Sequence, residues 1–240
     1  MTPEHRVLVT GASRGIGRAV ATGLAADGFH VVCNARSSVA DVVEEIRAGG
    51  GHASSLIGDV GDRSAIRASL EAEIDECGPY YGIVCNAGIH ADAAFPALTA
   101  TDWDEVMRTN LDSFYNVVQP CIMPMIRRRQ GGRIVAMSSV SGVAGNRGQV
   151  NYSAAKAGLI GAVKALAVEV AKRGITVNCV APGIVATQMA DSVADETIAQ
   201  MVPMRRRGTP AEVASLVCYL FGERAAYITR QAISVNGGMI

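Results

Sequence analysis

Aromatic side chains are scarce in this sequence, at 5% of 240 residues. Packing must therefore come from Val, Ile, Leu and Ala, which supply most of a 49% hydrophobic content. That bias suits a parallel sheet buried on both faces better than an antiparallel sandwich. Charge imbalance is missing too: 22 basic side chains meet 22 acidic ones. No global field draws the chain to nucleic acid or to an anionic membrane. No apolar run is long enough to span a bilayer, and the opening Met1-Thr2-Pro3-Glu4-His5-Arg6 reaches an apolar strand without a signal-peptide core. The expectation is a cytoplasmic protein with neither a membrane nor a nucleic-acid partner. Cysteine is present six times, at Cys33, Cys77, Cys85, Cys121, Cys179 and Cys218, but never as a C-x-x-C pair. His5, His30, His52 and His90 show no metal-ligand spacing. Free buried thiols in a reducing compartment and no metal site are the expectation.

What is present alternates regularly. Short Val- and Ile-rich runs at 6–10, 29–34, 53–57, 81–85, 133–138, 176–180 and 232–235 read as strands. Helical patterns lie between them at 14–26, 39–48, 62–76, 102–129 and 152–173, with a last helix opening at Thr209-Pro210. Pro120 and Pro124 should kink or break the helix over 102–129. The alternation predicts an α/β fold: a single doubly wound, Rossmann-like domain over 1–240 with a seven-stranded parallel sheet. Its cofactor half covers about 1–130 and its catalytic and substrate half about 131–240. The long irregular stretch before Gly208, about 184–208, reads as a lid.

Gly11, Gly15 and Gly17 sit at G-x-x-x-G-x-G spacing between the first strand and the first helix. With Ser13, Arg14 and Ile16 they form a turn in which glycine lets backbone N–H groups approach a phosphate at the helix N-terminus. A glycine turn can also simply join strand to helix, but its place in a βαβ unit favours a dinucleotide. The second strand ends Cys33-Asn34-Ala35-Arg36, with no acid to take a ribose 2′-hydroxyl. Arg36 and Arg14 stand where a 2′-phosphate would bind, so NADPH is expected over NADH. Two solvated arginines are the plain alternative.

Tyr152 and Lys156 are four residues apart at a predicted helix start, hence on one helical face. A nearby cation should lower the phenol's pKa and let it pass a proton to a carbonyl oxygen. Ser139 lies thirteen residues earlier, at the carboxyl end of a strand, the edge where open α/β sheets bind ligands. Ser138 is a rival, but neighbouring strand residues face opposite ways. Together with Asp59-Val60, Asn86-Ala87-Gly88, Asn110, Pro182-Gly183 and Thr187, these elements make the chain resemble the short-chain dehydrogenase/reductases over essentially its full length. Within that family, the stretch 145–159 and the ending Val235-Asn236-Gly237-Gly238-Met239 are most similar to 3-oxoacyl-[acyl-carrier-protein] reductases of bacterial fatty-acid synthesis.

The resemblance implies roles. Tyr152 would donate the proton, Lys156 would hold the nicotinamide ribose, and Ser139 would hydrogen-bond the substrate carbonyl. Asn110 would support a water leading from Lys156 to solvent. Asp59 and Val60 would frame the adenine, Asn86, Ala87 and Gly88 would line the cofactor, and Thr187 would bind the carboxamide beside Pro182 and Gly183. One departure is Cys85, where the family often has a second Asn that braces the sheet. The resemblance also implies a homotetramer, and an acyl carrier protein docking at Arg129 and Arg173 in a basic patch beside the cleft. The plain alternative is that cations at helix ends only complement the dipole. Other carbonyl substrates remain open: a coenzyme A thioester, a steroid, a sugar or a small ketone. So does a nucleotide-binding scaffold without turnover, although such a scaffold has no need of Ser139, Tyr152 and Lys156 together.

Overall fold

The computed structural model describes residues 5–188 and 194–240. Seven strands form one parallel sheet: β1 (Arg6–Thr10), β2 (His30–Ala35), β3 (His52–Ile57), β4 (Gly82–Cys85), β5 (Gly132–Met137), β6 (Ile175–Pro182) and β7 (Ala232–Val235). Their order is β3-β2-β1-β4-β5-β6-β7. It reverses between β1 and β4, and that switch point is where an α/β sheet opens a crevice at its carboxyl edge. Helices α1 (Gly15–Ala26), α2 (Ala40–Ala48) and α9 (Pro210–Phe221) cover one face, while α3 (Arg63–Cys77), α5 (Ser113–Arg128) and α7 (Val150–Val170) cover the other.

Both faces are dry, and β1 shows how. Val7 and Val9 pack with Val20, Leu24, Val217 and Phe221, whereas Leu8 points the other way toward Ile83, Val117, Ile134 and Val163. Successive side chains of a strand alternate faces, so a strand covered on both sides is apolar throughout.

The long helical pattern over 102–129 resolves into α4 (Ala100–Met107), a π turn at Arg108–Asp112, and α5. The interruption is therefore at the π turn and not at the prolines: α5 runs through Pro120 and Pro124 without a break. Each proline removes a helical hydrogen bond, at roughly 3 kcal/mol. Burial of Phe114, Val117, Val118, Cys121 and Met125 along the same helix outweighs that loss. The stretch before Gly208 is more ordered than expected as well. It contains α8 (Asp195–Met201), the buried Val185, Ile198 and Val202, and a parallel bridge from Val185 to Gly208. The short helix α6 (Val140–Ala144), also unforeseen, follows β5. Residues 189–193 of the expected lid lie outside the described residues.

Two loops meet at the amino edge of the sheet. Gly131 and Gly174 both have positive φ, and a Cβ on Gly131 would stand 2.9 Å from the Gly174 carbonyl oxygen. Only glycine allows this approach, which seats the ends of α5 and of the Ala171–Arg173 turn side by side.

Candidate active site

The expected cofactor and reaction residues gather at the carboxyl edge. Gly11, Ser13, Arg14, Gly15, Ile16 and Gly17 form the β1–α1 turn, and Arg36 follows β2. Asp59 and Val60 follow β3, and Asn86, Ala87 and Gly88 follow β4. Ser139 follows β5, Tyr152 and Lys156 lie on the first turns of α7, and Pro182, Gly183 and Thr187 end or follow β6. Asn110 sits in the π turn.

The glycine turn is built for close approach. Gly11 and Gly15 have φ of 65° and 56°. A Cβ on Gly11 would stand 2.9 Å from the Ala87 backbone, and one on Gly17 would collide with the Gly11 carbonyl. No side chain caps α1 at Arg14, so its first N–H groups point into the crevice for an anion to complete. Thr10 joins the turn to β4: its hydroxyl donates to the Val84 carbonyl at 3.3 Å and accepts from the backbone N–H groups of Asn86 and Ala87 at 3.0 and 3.1 Å. Asn86 Nδ2 donates back to the Thr10 carbonyl at 3.0 Å. Asn34, buried at the end of β2, donates to the Leu56 and Gly58 carbonyls and so fixes the loop bearing Asp59. Asp59 accepts from Gly61 N–H at 2.8 Å, with Arg108 Nη1 3.7 Å away. Arg36 is exposed and has no ion-pair partner among the described residues. Arg14 donates to Gln188 Oε1 at 2.6 Å, and Thr187 packs where a Gly15 Cβ would be 3.2 Å from its methyl group. A turn this free of side-chain bulk, with unclaimed N–H groups and a free arginine nearby, fits a dinucleotide phosphate.

At the reaction end, Lys156 is 3% exposed and its ammonium donates to the Met137 carbonyl at 2.8 Å. Burial lowers its pKa to about 8. Its Nζ lies 5.6 Å from the centre of the Tyr152 ring. Tyr152 does not show the expected lowering. Burial raises its phenol above the ordinary value, the Ser139 hydroxyl bonded to it pulls it back down, and the Asp92 carboxylate pushes it up. The reason is that desolvation of the phenolate dominates, while the nearby ammonium is itself driven toward the neutral form. Ser139 caps α6, its hydroxyl oxygen accepting from Ser141 N–H at 3.1 Å. Ser138 faces the other way and donates to the Lys156 carbonyl at 2.8 Å, so it braces the catalytic helix and does not line the cleft.

Asn110 exchanges two hydrogen bonds with Ile89: Nδ2 donates to its carbonyl at 2.7 Å and Oδ1 accepts from its N–H at 2.8 Å. A Cβ on Gly88 would stand 3.2 Å from Asn110 Oδ1 and 3.4 Å from Lys156 Nζ, so both line the same spot. Asn151, fully buried, holds the start of α7 by donating to the Ala91 and Asp102 carbonyls and accepting from Tyr152 N–H. Thr10 and Asn151 lie inside stretches that carry the resemblance, 10–17 and 145–159, but no motif marks the bracing roles of these two or of Asn34 and Ser138. The available signal is a small polar residue inside an otherwise apolar element.

Arg129 and Arg173 are not at this edge. They lie at the amino edge, where β5 and β6 begin. Arg173 is 21 positions beyond Tyr152, and α7 spans most of that interval. At 1.5 Å per residue the separation is about 30 Å. The expectation of a basic patch beside the same chain's cleft is therefore corrected.

Fold and glycine turn together define the class: an α/β protein that binds a dinucleotide at the carboxyl edge of a parallel sheet. The family described as short chain dehydrogenase matches residues 5–198. The chain is 56% identical over 240 residues to the 3-oxoacyl-[acyl-carrier-protein] reductase FabG of Aggregatibacter actinomycetemcomitans, covering 98% of this chain and 99% of that one. It is 42% identical over 245 residues to the enzyme of the same name from Staphylococcus aureus, covering 100% and 99%. To the 3-oxoacyl-[acyl-carrier-protein] reductase of Synechocystis it is 43% identical over 237 residues, covering 97% and 96%. The chain belongs to the short-chain dehydrogenase family and is an oxidoreductase with a nicotinamide cofactor.

Proposed function

We propose that the protein reduces the C3 carbonyl of a 3-oxoacyl thioester, carried on acyl carrier protein, to the 3-hydroxyacyl thioester of fatty-acid synthesis, with NADPH as reductant and in the cytoplasm. The observation that carries the reading is the convergence of Ser139, Tyr152 and Lys156 at the cofactor edge, in a chain more than half identical end to end to a reductase of that name.

The bound dinucleotide would supply the hydride; the rest of the chemistry falls to this chain's side chains. The Ser139 oxygen already accepts a backbone N–H, and its own O–H, which faces the Tyr152 phenol in this structure, would turn to donate to the substrate carbonyl. Tyr152 then protonates that oxygen as charge develops on it. Lys156, with a pKa near 8, can return the proton to the phenol, and Asn110, across Gly88 from the ammonium, would support the water that replaces it. Arg36, free of acid partners, would hold the 2′-phosphate with Arg14. Residues 184–188 and 194–208 would close on the cofactor through Thr187 and Gln188, which already touch the phosphate turn.

Docking of the carrier at Arg129 and Arg173 fits only if the patch serves a neighbouring subunit's cleft, because a pantetheine arm does not bridge the length of α7. A homotetramer would provide that neighbour. Its contact surface would include the outer faces of α5 and α7, where Tyr115, Met123 and Val168 are exposed.

Cofactor absorbance with an acetoacetyl thioester tests the activity. Tyr152→Phe should lose on the order of a hundredfold or more in turnover and still bind NADPH, since only the acid is removed. Turnover within a few-fold of wild type would sink the assignment. Arg36→Asp should shift the efficiency ratio toward NADH, and an unmoved ratio would place the 2′-phosphate elsewhere.

A further inference from the structure

Three segments reach the cleft from different strands: the 89–94 loop after β4, the first turn of α6 after β5, and the start of α7. One side chain touches all three. Gln149 occupies the N-cap position of α7, yet its amide does not cap the helix. Its Oε1 accepts from the Ser141 hydroxyl at 2.8 Å and from Asn146 Nδ2 at 3.0 Å. Its Nε2 donates to Asp92 Oδ2 at 2.8 Å. The carboxylate settles the amide's orientation, because an ionised acid accepts only and must face the NH₂ group. Beside this contact, Ala93 N–H donates to the Gly148 carbonyl at 2.9 Å, and His90 Nδ1 stands 3.4 Å from the other Asp92 oxygen.

The chain of contacts ends on the reaction centre. Ser141, held through its hydroxyl by Gln149, donates its N–H to the Ser139 oxygen. Helix α6 has only five residues, too few to keep its own first turn in place. Gln149 is also three residues before Tyr152, and its carbonyl accepts from Ser153 N–H at 2.7 Å. The same residue therefore anchors the helix that carries the phenol and the turn that carries the serine.

We infer that Gln149 and Asp92 are positioning residues for reduction, fixing the Ser139 hydroxyl against the Tyr152 phenol through the Asp92–Gln149–Ser141 hydrogen-bond chain. This deepens the reductase reading and rests on it. Neither residue touches the reacting atoms. Their effect belongs in turnover, not in cofactor binding, because a misplacement of about 1 Å costs on the order of a hundredfold in rate.

An exchange of acid and amide tests the chain. Gln149→Glu keeps the acceptor for Ser141 but sets two carboxylates face to face. It should lower kcat on the order of ten- to a hundredfold, with KM and NADPH affinity within a few-fold. Adding Asp92→Asn places a donor opposite the introduced carboxylate, so the 92–149 contact is remade in reversed polarity while residue 149 still accepts from Ser141 and Asn146. The double variant should recover to within a few-fold of wild type. Recovery cannot come from a chain that fails to fold, since the double variant still carries Gln149→Glu. Wild-type turnover in Gln149→Glu alone would overturn the inference, and so would a loss that Asp92→Asn does not repair. Failure of the reductase reading looks different: the wild type itself would not reduce the 3-oxoacyl thioester. The same variants are then compared on whichever carbonyl compound the enzyme does reduce, because the contact lies among its own side chains.

Discussion

Lys156 is the most deeply buried of the three proposed reaction residues. Its ammonium is buried against β5, and its floor is a row of Cys85, Ala136 and Cys179 across β4, β5 and β6. Burial pushes both thiols up to about 12, so neither supplies a counter-charge at neutral pH. The ammonium is left with one carbonyl, and its pKa falls to about 8 from 10.5. The consequence for stability has a definite sign. Below pH 8 the folded and unfolded chains both carry the proton, and the folded state bears the desolvation. Between about 8 and 10.5 the folded chain sheds the proton while the unfolded chain keeps it, so stability rises with pH. Lys156→Met removes this titration along with turnover. Denaturant unfolding near pH 7 and near pH 9.5 should show wild type gaining on the variant at the higher pH. A constant gap would mean that the ammonium is solvated. None of this is visible in the spacing of Tyr152 and Lys156, which shows that the two share a helical face but not how dry that face is.

At the scale of elements, the strands and the main helices were legible because apolar periodicity and glycine or proline boundaries survive in one dimension. The prolines misled because the rule for helix breaking concerns the backbone alone, and five buried side chains on α5 overrule it. The π turn left no mark, since shifting a hydrogen-bond register requires no special residue type; Asn110 was found by resemblance only. Ser139, Tyr152 and Lys156 were found because their offsets are local. The Gln149–Asp92 contact spans 57 residues and exists only once the sheet is assembled. The start of α9 was legible in Thr209-Pro210, and its cap is stronger than the sequence alone revealed. Thr209 and Glu212 cap reciprocally, at 3.2 Å from Glu212 N–H to the Thr209 hydroxyl and 2.8 Å from Thr209 N–H to Glu212 Oε2. Arg206 clamps the same carboxylate with two hydrogen bonds and, with them, holds Glu212 down to about 2. Thr209→Ala should cost about 1 kcal/mol, the usual value of a lost cap. For a domain of this size that is a melting temperature lower by roughly 2–4 °C. An unchanged melting temperature in calorimetry would show that Arg206 and Glu212 hold the turn by themselves.

At the scale of the whole molecule, the proposed reaction centre and the Arg129 and Arg173 patch lie at opposite edges of the sheet. Ser139, Tyr152 and Lys156 sit at the carboxyl edge, and Arg129 and Arg173 at the amino edge. If the patch receives the carrier, catalysis on carrier-linked substrate requires two chains. Mixed assemblies test this. A subunit with Arg129→Glu and Arg173→Glu keeps its reaction centre, and a Tyr152→Phe subunit keeps its patch. Each alone should be slow on carrier-linked substrate, and co-assembly should restore turnover. Activity that stays at the average of the two parents would exclude docking across subunits. A monomer in sedimentation at micromolar concentration would exclude it as well.

The thiols lend the enzyme to another use. Cys33, Cys85, Cys121 and Cys179 are buried, and Cys218 is partly covered and pushed up to about 12 by burial. Cys77 alone is exposed, at the end of α3 and on the amino side of β4, away from the cleft. A maleimide or a disulfide reagent should meet one fast-reacting sulfur in the native protein and six after denaturation. The chain thus carries a built-in attachment point for a fluorophore, through which assembly and carrier encounter can be followed without altering a residue.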